Sequence, residues 1–435
     1  MKKTMLGSVA ILAAGALALS GCTSSGDDAT NSPVATTGAA AAAPQDITFW
    51  LMGGDTPQAL RDYLTAQYAE VNGGTLTIEE QAWGDALSKL TTQLPDSANT
   101  PDVTEIGNTW SPTFTNVGAF SDLSDMYQEL GGDKLLPSFV EVGEVDGAQF
   151  ALPYYFGSRY DFYRKDLYAA AGVEVPTTLQ EFSDNAKALT TDTTSGFYVG
   201  GSDWRNGISW IFANGGDLAK KEDGKWVSTL SDPNSIKGLE MFQDLFVNAS
   251  KAPVGEFDST PWVNINNNES TGAPEAATII APGWAHWSIG TLGDDEKVAW
   301  DDNIFGVFVL PGVDGGAAPV FAGGSNIAIS AASENQEGAR DLMKIIFSPE
   351  YQAMLGENGL GPANLDYTSS LGDDQFAQAL VASAANSKLT PAAPGWASVE
   401  GAKILEEFFG KVAAGGDVAA LATEYDATIT PMLNG

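Results

Sequence analysis

The stretch LPYYFGSRYDFYRKDLYAAAGVEVPTTLQEF, residues 152–182, decides the fold of this chain. Its first part, Leu152–Arg164, is aromatic, strand-like and long, as expected for a strand that crosses between two lobes. Thr178 and Glu181 have the spacing of a capping box and predict the start of a helix. A second long strand-like segment spans residues 305–329 and also contains glycines. The sequence therefore predicts two lobes with a binding cleft between them.

Strands and helices alternate on the amino-terminal side of this stretch. Residues 47–51, 75–79 and 101–106 have strand patterns, and helical patterns begin at Pro57 and Trp83 between them. This β-α-β-α-β order predicts an α/β fold with a parallel sheet. Later patterns predict strands at 277–281 and 304–310, helix starts at Asp232-Pro233 and at Ser333 with Gln336, and an amphipathic helix over 399–412.

The composition excludes several classes of function. The chain has 435 residues, with 56 acidic and 21 basic side chains and a formal net charge of −35. Such a polyanion repels nucleic-acid phosphates, so no nucleic-acid partner is expected. A single Cys and a single His, His286, exclude a Cys/His zinc site, a disulfide framework and a CxxC redox motif. We predict no metal and no cofactor.

The amino terminus has the pattern of a secretion signal. Lys2 and Lys3 precede an apolar run over residues 6–19 that is too short to span a bilayer. Leu-Ser-Gly-Cys at residues 19–22 resembles a bacterial lipoprotein signal, and Cys22 is the only cysteine of the chain. We predict a signal peptide over residues 1–21, lipid attachment at Cys22, and a flexible tether over 22–45. The protein is then a cell-membrane lipoprotein on the extracytoplasmic face, held to the membrane by its lipid alone.

Many of the 11 Trp residues stand at junctions between loops and helices. Such positions suit a cleft better than a core. A sugar ring has an apolar C–H face that stacks on a flat aromatic side chain, and its hydroxyls bind polar groups around the edge. For a single Trp, a core role is about as plausible as a cleft role; the set together favours a sugar-binding cleft.

From Ile47 onward the chain resembles the carbohydrate-binding solute-binding proteins of bacterial ABC importers, the class that includes maltose-binding protein. The resemblance rests on the order of several motifs, of which residues 152–182 are the most specific. The others are ITFWLMGG, PDVTEIGNTW, WIFANGG, APGWAHW, VLPG followed by GGSNIAIS, and ENGLGPAN.

The resemblance implies a periplasmic-binding-protein-like fold of two discontinuous α/β lobes joined by crossing strands, with the ligand cleft between them. We assign residues 46–156 plus 306–350 to lobe 1 and residues 157–305 plus 351–435 to lobe 2. The expected function is capture of a di- or oligosaccharide by a monomer, which delivers it to the permease subunits of an ABC transporter by closing its lobes.

The resemblance also implies a set of ligand-binding residues. In this sequence they are Asp55, Trp83, Asn108, Trp110, Arg159, Trp204, Trp284, Gly324, Ser325 and Trp396. Trp284 departs from the family pattern, because the order here is Pro-Gly-Trp and not Gly-Pro-Trp. For Arg159, a bidentate bond to sugar hydroxyls and a salt bridge between lobes are equally compatible with the sequence. Asp55 could bind ligand or only cap the next turn.

Two other classes of function remain open at this point. A receptor of the same fold could bind a polyamine, a peptide or iron. A surface glycoside hydrolase would need two carboxylates across a cleft, and with 56 acidic residues any chosen pair carries no information. We expect no enzymatic activity.

Replacing Cys22 with Ser is expected to release the protein from membranes, because the acylated thiol is lost. Cell fractionation and palmitate labelling measure this effect. A Cys22→Ser protein that stays in the membrane fraction, together with an unlabelled wild type, would contradict the lipoprotein assignment.

Overall fold

The computed structural model of the protein describes residues 43–257, 260–268, 270–292 and 298–435. The predicted signal peptide, Cys22 and nearly all of the predicted tether lie outside these residues. Within them, every helix is too short or too polar to cross a membrane.

The strands of the described residues follow in chain order: β1 (Ile47–Met52), β2 (Leu76–Gln81), β3 (Val103–Gly107), β4 (Glu144–Val145), β5 (Ala148–Gln149), β6 (Ala151–Gly157), β7 (Arg159–Arg164), β8 (Ala219–Glu222), β9 (Lys225–Ser228), β10 (Thr278–Pro282), β11 (Thr291–Leu292), β12 (Val298–Ala299), β13 (Phe305–Phe308), β14 (Gly323–Ile329) and β15 (Gly361–Pro362).

The α-helices of the same residues are α1 (Gln58–Val71), α2 (Trp83–Gln93), α3 (Ser111–Asn116), α4 (Pro137–Glu141), α5 (Lys165–Ala171), α6 (Leu179–Leu189), α7 (Trp204–Ala213), α8 (Pro233–Ala249), α9 (Pro261–Asn264), α10 (Gln336–Ile346), α11 (Pro349–Glu357), α12 (Gln375–Ala384), α13 (Trp396–Gly401), α14 (Ile404–Ala413) and α15 (Val418–Leu433). Short 3-10 helices cover Gly132–Lys134, Gly283–Ser288 and Leu365–Leu371.

The larger sheet has the strand order β15-β6-β14-β3-β1-β2. β1 runs parallel to both β2 and β3, which confirms the predicted β-α-β-α-β opening. β14 is antiparallel to β3 and β6, so the sheet is mixed. In α1, Leu60, Leu64 and Tyr68 recur every four residues and are buried in one core with β1 and α10.

The smaller sheet has the order β10-β7-β13, and both of its pairings are antiparallel. Its core is a second, larger cluster, which takes in Phe162 of β7, Phe182 of α6 and Trp210 of α7. The Phe182 ring lies 5.2 Å from both the Phe197 and the Trp210 rings, so aromatic packing fixes α6 and α7 on this sheet.

The chain crosses between the two sheets inside residues 152–182. Among the described strands, β6 pairs within the larger sheet and β7 within the smaller one, and Ser158 alone separates them. A second passage joins β13 of the smaller sheet to β14 of the larger sheet. The two-lobed fold with crossing strands follows from these pairings.

The exact limits of the lobes remain a proposal, and strand pairing argues for moving two of them. Phe305–Phe308 pairs with β7, and Gly361–Pro362 pairs with β6. Tyr351 and Leu355 of α11 lie in the core of the larger sheet. We therefore propose that the passage into lobe 1 falls between β13 and β14, and that lobe 1 extends past residue 350 to include β15.

Two of the predicted helix features differ in the structure. The Thr178 side chain accepts the Glu181 N–H, as predicted for a cap. The predicted cap at Ser333 is wrong, because α10 begins after Asn335 and the Ser333 hydroxyl donates to Asp102 at 2.5 Å. The predicted helix over 399–412 is divided into α13 and α14, because Lys403 takes a left-handed conformation with φ of 56°.

Candidate ligand-binding site

A cavity of about 490 Å³ lies at the crossing of β6 into β7. This volume falls in the range of small-molecule binding sites. Its walls come from the ends of β1 and β3, from the crossing itself, from the start of β14, and from the segment after β10. The carboxyl ends of parallel strands open toward the crevice, as in other open α/β sheets. Eight predicted residues line the cavity: Asp55, Trp83, Asn108, Trp110, Arg159, Trp284, Gly324 and Ser325.

Asp55 is the polar centre of the wall that β1 supplies. Its Oδ2 accepts the Trp83 indole N–H at 2.9 Å and the Tyr155 hydroxyl at 3.2 Å. The Trp83 ring in turn packs edge-on against Trp110, with 5.8 Å between ring centroids. Gly53 allows this arrangement: its φ is +57°, and a Cβ there would lie 2.8 Å from the Trp83 ring. Asp55 therefore orients the two Trp rings and does not merely cap a turn.

A buried carboxyl group, Glu105 of β3, lies close to this wall. The side chain is fully buried, and its Oε2 accepts the Met52 N–H at 2.8 Å. Its Oε1 has no hydrogen-bond partner among the described residues. The pKa of Glu105 is raised to about 7: burial is the main cause, the negative charge of Asp55 adds to the rise, and the hydrogen bond from the Met52 N–H opposes it.

Arg159 lies at the start of β7, directly after the crossing, and is 7% exposed. Its Nε donates to the Asn206 side chain at 2.8 Å, and Nη1 donates to the Phe321 carbonyl at 3.3 Å. Asn206 donates onward to Asp203 at 2.8 Å. Burial lowers the pKa of Arg159 to about 10, so the guanidinium stays charged at neutral pH.

An ion pair on the cavity wall, between Arg205 and Glu400, was missed by the sequence analysis. Arg205 donates to Oε1 of Glu400 at 2.5 Å and stacks over the Trp204 ring at 4.6 Å. Glu400 is 8% exposed, and its Oε2 has no partner among the described residues. The pair joins α7 to α13, and its two residues are 195 positions apart in the chain. Neither residue lies in a motif that would single it out.

Trp284 and Trp287 form an exposed aromatic part of the wall. They are 46% and 58% exposed, although large aromatic side chains are usually buried. Trp262 supports Trp284 from the side, with 4.7 Å between the ring centroids and 69° between the planes. Trp287 was not among the predicted residues, although it lies in the same motif, APGWAHW.

Trp204 and Trp396 were predicted to lie in the binding site, but the structure buries them outside the cavity wall. They are 0% and 1% exposed, they pack edge-on against each other at 6.2 Å, and neither lines the cavity. Both belong to the core of the smaller sheet, because the first turns of α7 and α13 face inward. They support the wall from behind, through the stacking of Arg205 on Trp204.

Among the described residues, no group of three or more His, Cys, Asp or Glu side chains is arranged to hold a metal ion. The cavity therefore offers aromatic faces, hydrogen-bond donors and acceptors, and two guanidinium groups.

Comparison with known proteins gives consistent results. The profile of one family, described as bacterial extracellular solute-binding protein, matches residues 53–353. The chain is 32% identical over 367 residues to the diacetylchitobiose binding protein DasA of Streptomyces coelicolor, covering 83% of this chain and 84% of that protein.

Two solved structures show the same fold at low sequence identity. The sugar-binding protein MalE of Xanthomonas citri has a TM-score of 0.74 and 19% identity, covering 89% of this chain and 97% of that one. The GacH receptor of Streptomyces glaucescens, which was solved unliganded and with acarbose, has a TM-score of 0.71 and 21% identity, covering 89% and 98%.

The raised pKa of Glu105 predicts a specific dependence of stability on pH. The folded pKa is about 7 and the ordinary value is 4.5, so the folded state binds the extra proton between these values. The contribution of protonated Glu105 to the free energy of unfolding is therefore fully present below pH 4.5 and is lost as the pH rises through 7. Relative to a Glu105→Gln variant, the wild type should lose on the order of 3 kcal/mol of unfolding free energy between pH 4.5 and 8.

Urea unfolding of both proteins at several pH values measures this difference. A difference between wild type and variant that is constant across the range would show that Glu105 ionises normally in the folded protein.

Proposed function

Because the chain belongs to the family of bacterial extracellular solute-binding proteins, we propose that it captures a di- or oligosaccharide and delivers it to an ABC transporter permease. The observation that carries this proposal is the cavity at the strand crossing, where Trp83, Trp110 and Trp284 stand beside Asp55, Asn108 and Arg159. Flat aromatic faces bordered by short polar side chains complement a sugar ring and its hydroxyls.

The relative from Streptomyces coelicolor makes an N-acetylated amino-sugar disaccharide the first ligand to test. Such a ligand offers amide N–H and hydroxyl donors together with carbonyl acceptors. The Arg205–Glu400 pair suits it, because Oε2 of Glu400 is a buried acceptor that has no partner within the described part of the chain, and Arg205 is a donor next to it. A buried carboxylate oxygen that accepts no hydrogen bond favours a ligand that supplies a hydrogen-bond donor.

The charges of the cavity argue against a polyamine. Arg159 and Arg205 balance the carboxylates of Asp55 and Glu400 in its wall, so the cavity has no excess of negative charge to attract a polycation. The hydrolase alternative receives little support, because the matched relatives and structures named above are binding proteins. In addition, the Asp55 carboxylate is already held by Trp83 and Tyr155.

Delivery to a transporter needs a difference between loaded and empty protein. Contacts divided between the lobes supply it, because about half of them are missing when the lobes are apart. Asp55 and Trp83 belong to the larger sheet, whereas Arg205, Trp284 and Glu400 belong to the side of the smaller sheet. A shift from mostly open to mostly closed takes roughly 5 kcal/mol of differential affinity.

The proposal includes the location. We propose that the folded part acts on the extracytoplasmic face as a monomer, held to the membrane by a lipid on Cys22. The motif around Cys22 and the family to which residues 53–353 belong support this arrangement.

Calorimetry against a panel of disaccharides is expected to give micromolar or tighter binding for an N-acetylated one, about −8 kcal/mol, with no binding of spermidine. A Glu400→Gln variant is expected to bind about tenfold more weakly, because a charged acceptor becomes a neutral amide. Glu406→Gln is the matched control, since Glu406 also carries a buried oxygen that finds no partner in the described ranges but does not line the cavity. Binding of spermidine, or hydrolysis of the sugar, would overturn the proposal.

Small-angle scattering tests the closing movement. The radius of gyration is expected to fall when saturating disaccharide is added, and to stay constant with spermidine. A constant radius despite calorimetric binding would refute closure as the basis of recognition by the transporter.

A further inference from the structure

A second cavity of about 460 Å³ lies beside the main one. The two share six wall residues: Pro57, Gly283, Trp287, Asn358, Gly359 and Leu380. They are therefore neighbours along one surface of the molecule, and a ligand too long for the main cavity has a place to continue.

Trp287 and Gly359 stand at the boundary between the cavities. A Cβ on Gly359 would lie 3.1 Å from Cζ2 of Trp287, so the indole packs directly on the glycine backbone. Gly359 has a φ of +77°, which other residues rarely adopt. The indole is 58% exposed and lines both cavities, so it can stack a ring that lies at the passage between them.

The second cavity has its own aromatic wall. The His286 ring stacks on Phe376 with 4.4 Å between centroids and 20° between planes, and it contacts Trp287 at 4.6 Å. His286 shares a hydrogen bond between Nδ1 and the Gly283 carbonyl at 2.6 Å, which fixes the ring, with the proton on Nδ1. Burial lowers the pKa of His286, so the ring is neutral at neutral pH.

The charges of this cavity select the kind of ligand. Its described wall residues include Glu357 and Asp374 but no Lys or Arg, in contrast to the two Arg residues of the main cavity. Aromatic side chains with carboxylate acceptors suit the hydroxyl donors of a neutral sugar ring. An anionic ring, such as a uronic acid, would be repelled.

We propose that the second cavity is a subsite for a further neutral ring of an oligosaccharide whose first rings occupy the main cavity. Trp287 then serves both rings at their junction. This inference rests on the proposed function and adds to it that the ligand is longer than a disaccharide.

The test measures the ratio of dissociation constants for an N-acetylglucosamine disaccharide and the matching trisaccharide, by calorimetry on the purified full chain. In the wild type the trisaccharide is expected to bind about fivefold or more tightly, as an additional stacked ring implies. A Trp287→Leu variant is expected to lose this gain. Trp284→Leu is the matched control, because Trp284 lines only the main cavity: both sugars should weaken and the gain should remain.

The possible outcomes separate the two claims. Equal affinity for both sugars in the wild type, or a gain that survives Trp287→Leu, overturns the subsite while leaving the proposed function intact. Absence of binding for disaccharide and trisaccharide alike overturns the subsite for this ligand together with the proposal that the ligand is an N-acetylated sugar. A trisaccharide ending in a uronic acid that binds as tightly as the neutral one would overturn the selection by charge.

Discussion

The site depends on one backbone constraint, which is that a single extended segment serves two sheets. β6 and β7 are separated only by Ser158, and each pairs with strands of a different sheet. The residues around the junction contribute to the cavity wall, which includes Phe156, Gly157 and Arg159, although Phe156 is 2% exposed and also belongs to the core of the smaller sheet. Because a one-residue shift would turn every side chain of a strand to its other face, the pairings on both sides fix which side chains face the ligand.

Around this junction several buried polar atoms lack a hydrogen-bond partner among the residues that the structure describes. They include Oε1 of Glu105, the indole N–H of Trp110 and Oε2 of Glu400, which lie at or next to the cavity wall. Leaving such a group unpaired costs about 1–3 kcal/mol. A ligand that supplies the missing partners at Trp110 and Glu400 recovers part of that cost. The cavity also contains two Arg residues in a chain of net charge −35, so its local charge is not that of the whole protein.

The sequence predicted the parts of the fold that local patterns encode. The parallel β1, β2 and β3, the cap at Thr178 and the crossing over 152–164 all follow from periodicity or spacing within a few residues. The predicted helix cap at Ser333 was wrong, because the Ser333 hydroxyl donates a hydrogen bond to Asp102, which is 231 residues away in the chain. The prediction that Trp204 and Trp396 line the cavity was wrong, because a position at a helix start does not show which way the first turn faces. Arg205 and Glu400 could not be found, since their pairing depends on how α7 and α13 pack.

The Trp residues near the cavity fall into two groups, one buried in the core and one exposed to solvent. Trp204 and Trp396 pack against each other and leave no face for a ligand, whereas Trp284 and Trp287 keep about half of their surface in solvent. Exposing an indole forfeits the burial that stabilises a fold, roughly 25 cal/mol for each Å². The two exposed rings are nevertheless fixed in position. Trp262 packs against Trp284, and Gly359 and His286 pack against Trp287. Rings that are fixed but uncovered lose little freedom when a ligand stacks on them, so burial of their faces becomes available to binding.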